Sequence, residues 1–328
     1  MKHVSILVPD GATALSCIEG SLKAFTTANE FLAMRGREPM FKVQLVGSSM
    51  EGRVYDGFFR VTPDATTNVI QKSDLVIIPA VNGNMDEVIR VNKTLVDWVR
   101  AQHGKGAEVA SLCVGAFILA ATGLVDGKKC STHWFAQNDF KKMFPMVNLV
   151  GDRIITDDQG IYSSGGANSF WNLLIYLVEK YTDREIAVML AKYYQIEIDR
   201  FNQSAFTMFH GQKSHDDEPI RKAQEFIESN FQDKLSVEQL ADLFALGRRS
   251  LERRFKKATN NTVVEYIQRV KIEAAKKSFE TTRKNVSEVM YDVGYTDTKA
   301  FRTTFKKIAG LSPVEYRNRY NKEAITFT

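Results

Sequence analysis

The segment from Phe255 to Tyr266, FKKATNNTVVEY, returns fifty residues later as FKKIAGLSPVEY, from Phe305 to Tyr316. Phe, the Lys pair, Val, Glu and Tyr keep their places without a gap, and upstream Leu251 aligns with Phe301, Arg249 with Lys299 and Glu238 with Glu288. A period of that length marks a repeated supersecondary unit and confines the last third of the chain to two copies of one small fold. Each copy fits a short helix, a tight turn and a second helix bearing basic residues, the arrangement by which a helix-turn-helix presents a recognition helix to a DNA groove.

In the first copy, Ser236 is expected to cap a helix through Leu243, with Val237, Leu240, Ala241 and Phe244 as its apolar stripe. Leu246 and Gly247 make the turn, and Arg248 to Lys257 form the second helix, anchored by Leu251 and Phe255. In the second copy, Ser287 is expected to cap a helix carrying Val289, Met290 and Val293. Gly294 and Tyr295 turn, and Asp297 caps a helix anchored by Phe301 and Phe305. The outward faces then carry Arg249, Glu252, Arg253 and Lys256 in one copy and Thr298, Lys299, Arg302, Thr303 and Lys306 in the other. Between the copies, Val263 to Phe279 contains no Gly or Pro. As one helix it would span about 25 Å and act as a rigid spacer.

Basic residues on a solvated helix face are common, so the distribution of charge matters. From Lys213 onward there are 23 Lys and Arg against 17 Asp and Glu, whereas the preceding residues carry 21 against 22. The whole basic excess lies in the repeated region, as attraction to phosphates requires.

These residues resemble the AraC/XylS family of bacterial transcription regulators over about Ile220 to Tyr320. The signature in the second copy is Gly294-Tyr295, Phe301, Phe305-Lys306, Gly310, Ser312-Pro313 and Tyr316-Arg317. The resemblance implies base-reading positions at Arg249, Glu252 and Arg253, and at Thr298, Lys299, Arg302 and Thr303. Arg pairs bidentately with guanine and Glu accepts from cytosine N4. Lys256 suits a phosphate contact, and Lys306 belongs to the same DNA-binding set. Gly247 stands where the family usually has a Ser cap, a weaker start to the first recognition helix.

The first two hundred residues read differently. Val4–Val8, Val43–Val46, Leu75–Ile78 and Val109–Leu112 are short apolar runs suited to strands buried on both faces. Helical periodicity marks Ser21–Met34, Asp86–Gln102, Ala116–Thr122 and Phe170–Lys180 between and after them. The alternation predicts an α/β fold, a mainly parallel sheet flanked by helices, followed by the all-α repeated region. Ligands in such sheets bind beyond the carboxyl ends of the strands. Pro9–Thr13, Pro79–Asn84, Cys113–Gly115 and Gly165–Ser169 are therefore the segments to inspect.

Ser111-Leu112-Cys113-Val114-Gly115 is the sharpest of them. A strand running into a Cys, with a Gly two residues on and a helix to follow, is the pattern of a nucleophile elbow, and a helix N-terminus there would favour a thiolate. The bland alternative is a buried Cys at a strand end. The context is a resemblance, over Met1 to about Tyr194, to the ThiJ/PfpI domain of the class I glutamine amidotransferase-like fold. It rests on SLCVGAFILAATGLVDG, Ser131-Thr132-His133-Trp134, and Ser163-Ser164-Gly165-Gly166 leading into Asn168-Ser169-Phe170. A domain of that kind ahead of AraC/XylS heads is the layout of GlxA-type regulators. The resemblance implies one ligand pocket containing Cys17, Ala80, Val81, Cys113, Val114, His133, Asn168 and Ser169.

Catalytic parts are missing from that pattern. Cys17 occupies the place of the family's acid, with Glu19 two residues away as a possible substitute. Ala80-Val81 replace the Gly pair that supplies oxyanion donors, and Val114 stands where hydrolytic members have His. No catalytic residue is assigned, and ligand sensing is expected rather than turnover. The alternative is a ThiJ/PfpI-type amidase, hydratase or glyoxalase-like enzyme using Cys113, with the DNA heads for localisation or autoregulation.

The remaining expectations are coarser. The start, MKHVSILVPDG, enters a strand without a signal-peptide pattern, and no run approaches the roughly twenty apolar residues of a membrane span. Cys17, Cys113 and Cys130 suit neither a disulfide framework nor a zinc site. Together these point to a reduced, cytoplasmic protein without cofactor or metal. The polar stretch Gln203–Glu218, with His210, His215, Asp216 and Asp217, reads as a solvated tether in preference to a metal site. The expected domains are 1–200 for the sensor, 201–219 for the linker and 220–328 for the DNA-binding region. The expected partners are double-stranded DNA, an unidentified small-molecule effector, RNA polymerase and a second copy of the chain.

Overall fold

A computed structural model describes residues 1–321 apart from Asp56, Asp199, Arg200, Phe201 and Ser214. It divides into two compact units, Met1–Gln203 and Ser204–Thr328. The boundary expected at 200/201, and the end of the expected last domain beyond 321, lie outside the described residues.

The first unit runs β1 (Lys2–Leu7), α1 (Leu15–Met34), β2 (Phe41–Gly47), β3 (Arg53–Tyr55), β4 (Phe59–Val61), β5 (Ala65–Thr66) and β6 (Leu75–Ile78). It continues with α2 (Met85–Val91), α3 (Lys93–Gly104), β7 (Glu108–Leu112), α4 (Ala116–Ala121), β8 (Lys129–Cys130), α5 (Gln137–Met143) and β9 (Asn148–Leu149). Then come β10 (Ile155–Asp158), β11 (Ile161–Ser164), α6 (Phe170–Tyr181) and α7 (Arg184–Tyr193). Among the described residues, seven strands form one sheet in the order β10-β11-β7-β6-β1-β2-β5. All its pairings are parallel except that of β10 with β11.

Alternation along the strands divides the core in two. Leu75 and Ile77 of β6 pack with α1, α6 and α7 on one face, and Val76 and Ile78 with α3, α4 and Phe140 on the other. The expected helix Asp86–Gln102 is two helices. Asn92 interrupts it because its side chain accepts from Asp10 N–H (2.8 Å) and donates to Asp10 O (2.9 Å), fixing the α2–α3 corner to the loop after β1.

The second unit contains α8 (Glu218–Ser229), α9 (Val237–Leu243), α10 (Arg248–Thr259), α11 (Val263–Thr281), α12 (Val286–Asp292), α13 (Thr298–Ala309) and α14 (Pro313–Tyr320). α11 joins two small cores. Its Val263, Tyr266 and Val270 pack with Leu251 and Phe255, and its Ile272, Ala275 and Phe279 with Phe301 and Phe305. The repeated residues do the same work in both. The Tyr266 and Tyr316 hydroxyls donate to Glu228 and Glu280, each at 2.6 Å, and the repeated Glu265 and Glu315 close capping boxes with Thr262 and Ser312. Asn260 and Gly310 both end their recognition helices in the left-handed conformation.

Two expectations about this unit are corrected. Asn285, not Ser287, caps α12, because its Oδ1 accepts from the N–H groups of both Ser287 and Glu288. The stretch expected as a solvated linker is largely packed onto the second unit. Phe209 lies 5.2 Å from the Tyr266 ring and its N–H donates to Glu273 (3.1 Å). Lys276 donates to Thr207 O, and His215 bonds Gln224 at 2.8 Å. Asp217 caps α8 and takes a bidentate pair from Arg254, which holds its carboxyl below the usual range. The polar groups of this stretch found protein partners, and its Phe anchors it.

Candidate functional site

On α10, Leu251 and Phe255 are fully buried, which turns Arg249 and Arg253 to solvent and leaves Glu252 half-buried. On α13, buried Phe301 and Phe305 likewise turn Thr298, Lys299, Arg302, Thr303 and Lys306 outward. Among the described residues, Arg249, Arg253, Lys299 and Arg302 make no ion pair, so their charges are unspent within the fold. The structure thus brings each expected set onto one exposed helix face. Lys256 differs, for its ammonium sits on Asn260 O (2.8 Å) at the helix end, 3.8 Å from Glu265.

Helix starts distinguish the two faces. Asp297 accepts from Ala300 N–H, whereas Gly247 leaves α10 without a side-chain cap. Gly247 has φ −66° and an added Cβ there meets nothing within 4 Å. Gly247→Ser is therefore expected to stabilise the second unit by a few tenths of a kcal/mol, read as a small rise in its melting temperature.

The second candidate site lies at the carboxyl ends of the strands. Cys113 has φ +54°, the left-handed backbone of an elbow. Its N–H donates to Ser164 Oγ (3.2 Å) and its carbonyl accepts from Thr132 Oγ1 (3.1 Å). Gly115 is required there, because a Cβ would lie 2.5 Å from Pro79 O and 2.7 Å from Ile78 O.

A cavity of about 510 Å3 opens on this elbow and gathers Cys17, Ala80, Cys113, Val114, His133 and Asn168. Val81 and Ser169 do not line it. Val81 is bridged to Thr13 on the sheet side, and Ser169 is buried at the start of α6. Gly83, within the inspected segment Pro79–Asn84, also contributes, as do residues not expected: Met85 at the start of α2, Phe117 on α4, and Phe135, Ala136 and Asp139 following His133. Phe135 sits in the tight turn before α5 and Asp139 in the first turn of that helix. A larger groove of about 840 Å3 along α6 and α7 contains none of the expected ligand residues.

The chemistry of the cavity departs from the thiolate expectation. Burial pushes the Cys113 thiol up to about 12, with the nearby Cys17 adding to the rise, and pushes Cys17 up to about 11. The Val114 N–H at the start of the elbow lowers the Cys113 pKa, but by less than burial raises it. Burial also lowers the His133 pKa, favouring the neutral ring, whose Nδ1 accepts from Phe135 N–H at 3.2 Å. Among the described residues no hydrogen bond joins Cys113 to His133. Glu19 is exposed and off the cavity wall. The Asn82 N–H donates to Ala12 O (2.8 Å) and the Ala14 N–H to Ala80 O (2.9 Å), which ties the segment after β6 to the loop after β1.

Among the described residues, no group of His, Cys, Asp and Glu is placed to hold a metal ion, and no helix is long and apolar enough to cross a membrane.

Comparison with known proteins places both units. Residues 240–319 match a helix-turn-helix domain family and residues 25–180 the DJ-1/PfpI family. The HTH-type transcriptional regulator GbdR of Pseudomonas aeruginosa is 25% identical over 330 residues, covering 96% of this chain and 84% of that protein. The HTH-type transcriptional regulator CdhR of the same organism is 23% identical over 264 residues, 78% of this chain and 76% of that protein. The crystal structure of a ThiJ/PfpI family protein from Pseudomonas syringae superposes with a TM-score of 0.51 at 16% identity, over 74% of this chain and 90% of that one, a likeness of fold.

Proposed function

We infer that this chain, an AraC-type helix-turn-helix pair carried behind a DJ-1/PfpI domain, is a DNA-binding transcription regulator whose amino-terminal domain senses a small molecule. The observation that carries the reading is the pair of exposed helix faces on which Arg249, Arg253, Lys299 and Arg302 make no ion pair among the described residues, each helix held by two buried anchors. Arg249, Arg253 and Arg302 suit guanine edges, Glu252 suits cytosine N4, and Thr298, Lys299 and Thr303 complete the second face. Lys256 and Lys306 suit phosphates.

The elbow cavity is the effector site in this reading. Asp139 is the one carboxylate among its described lining residues, which include neither Lys nor Arg, and Phe117, Phe135 and Met85 supply apolar wall. Such a lining selects a small molecule without net negative charge. Turnover is not part of the reading, since burial pushes the thiol pKa up and, among the described residues, no hydrogen bond joins Cys113 to His133 or to Asp139. Action as a homodimer, contact with RNA polymerase and a cytoplasmic location belong to the same proposal, and their support is the kinship with HTH-type regulators.

Selection from a randomised duplex library, followed by gel shifts across salt concentrations, tests it. Arg302→Ala is expected to cost about 1–3 kcal/mol on the selected site and little on scrambled duplex. Lys256→Ala is expected to weaken all duplexes alike and lower the salt slope by about one. Equal losses on selected and scrambled DNA for Arg302→Ala remove its base-reading role, and a library that yields no preferred site removes the function.

A further inference from the structure

The repeat places Glu252 and Arg302 at one register position with opposite charges. A carboxylate brought among phosphates is repelled, and it stays in a groove only when another group holds it or cytosine N4–H meets it. Arg248, one turn earlier on α10, supplies such a hold. Its Nε lies 3.4 Å from Glu252 Oε1, and its Nη1 lies 2.5 Å from Glu238 Oε1 on α9, across the turn of the motif. One guanidinium therefore spans both helices of the first head and both carboxylates.

The second head does not assemble this device. Thr298 stands where Arg248 does, Arg302 replaces the carboxylate, and Glu288, the counterpart of Glu238, turns back to accept from its own Asn285 N–H (2.6 Å). The Arg is present in the copy with the acidic reader and absent from the copy without it. We propose that Arg248 is a positioning residue, which aims Glu252 at a cytosine edge and offsets its repulsion by the backbone, with Glu238 steadying the guanidinium from the other side. The inference rests on the reading of Glu252 as a base contact.

In water these exposed pairs contribute little to stability, as their side chains are roughly half exposed or more. Against DNA, where solvent is excluded, the same contacts strengthen. Arg248 therefore shows itself in base preference and not in folding. The competing role is a plain phosphate anchor at the start of α10.

The full chain and its Arg248→Ala, Glu252→Ala and double variants are compared on duplexes permuted at each position of the site selected by the wild type. Unchanged melting curves confirm that the variants are folded. Glu252→Ala is expected to lose roughly ten-fold of cytosine preference at one position. Arg248→Ala is expected to lose several-fold at that same position, and the double variant to be no worse there than Glu252→Ala, because the two side chains act as a unit. Glu238→Gln is expected to show a smaller loss at the same place. Uniform weakening at all positions by Arg248→Ala, with a salt slope lower by about one, makes it a phosphate anchor and overturns the proposal. If Glu252→Ala alters no position, the base-reading premise fails separately, and the proposal with it, while the regulator reading stands on the remaining contacts.

Discussion

Phe305→Ala is expected to cost about 3–5 kcal/mol and abolish binding to the preferred site while leaving the amino-terminal unit folded. The ring is fully buried and lies 5.8 Å from Phe301, 5.6 Å from Phe279 and 5.5 Å from Tyr316, so truncation opens a void among three other rings. Phe279 belongs to α11 and Tyr316 to α14, so the loss reaches the scaffold helix and the end of the head together. The core of the first unit shares none of these residues. Calorimetry should therefore show one transition displaced by more than about 10 °C and another unmoved. A displacement of only a few degrees would mean that the second core collapses around the missing ring, and would refute its role as the anchor of the recognition face.

What the sequence revealed follows from where residue identity was physically forced. Phe255 and Phe305, Tyr266 and Tyr316, and Glu265 and Glu315 recur because each copy needs the same buried rings, the same hydroxyl acceptor and the same capping box. The parallel strands were legible as apolar runs because both their faces are covered. β11 was not, since Ile161-Tyr162-Ser163-Ser164 is wholly buried yet half polar, its hydroxyls bonded to Thr156, Ser131 and Cys113. Asn92 broke a helix through a contact 82 residues away, which no local pattern contains. Ser287 was mistaken for a cap because Asn285, two residues earlier, has the same competence, and only geometry separates them.

The elbow divides in the same way. Cys113 and Gly115 were recognisable because backbone crowding at Pro79 demands the glycine. The state of the thiol was not, because it depends on burial and on the neighbouring Cys17, which the motif leaves unspecified. The cavity wall was half legible. Cys17, Ala80 and His133 follow strands or begin helices, whereas Phe117 and Asp139 reach it from within helices, at positions set by tertiary packing.

Gly294→Ala is expected to cost about 2–4 kcal/mol, the sum of roughly 1 for the left-handed conformation and 1–3 for overpacking. The residue has φ +73°, and an added Cβ would meet Gln232 O at 2.0 Å and Lys271 Nζ at 2.7 Å. Gln232 belongs to the loop between α8 and α9 of the first head, so this glycine is one place where the two heads touch. Lys271, buried on the shared α11, donates to Asp233 O (3.2 Å) and Gly294 O (3.3 Å) and ties the same loop to the same turn. The methyl group would push that turn away and break the tie. Reading two segments of one duplex requires a fixed spacing between heads, so the variant is expected to lose affinity for the full site by more than for either half-site alone. Equal affinity losses on full and half sites would show that Gly294 supports only its own head, and that the spacing is held elsewhere.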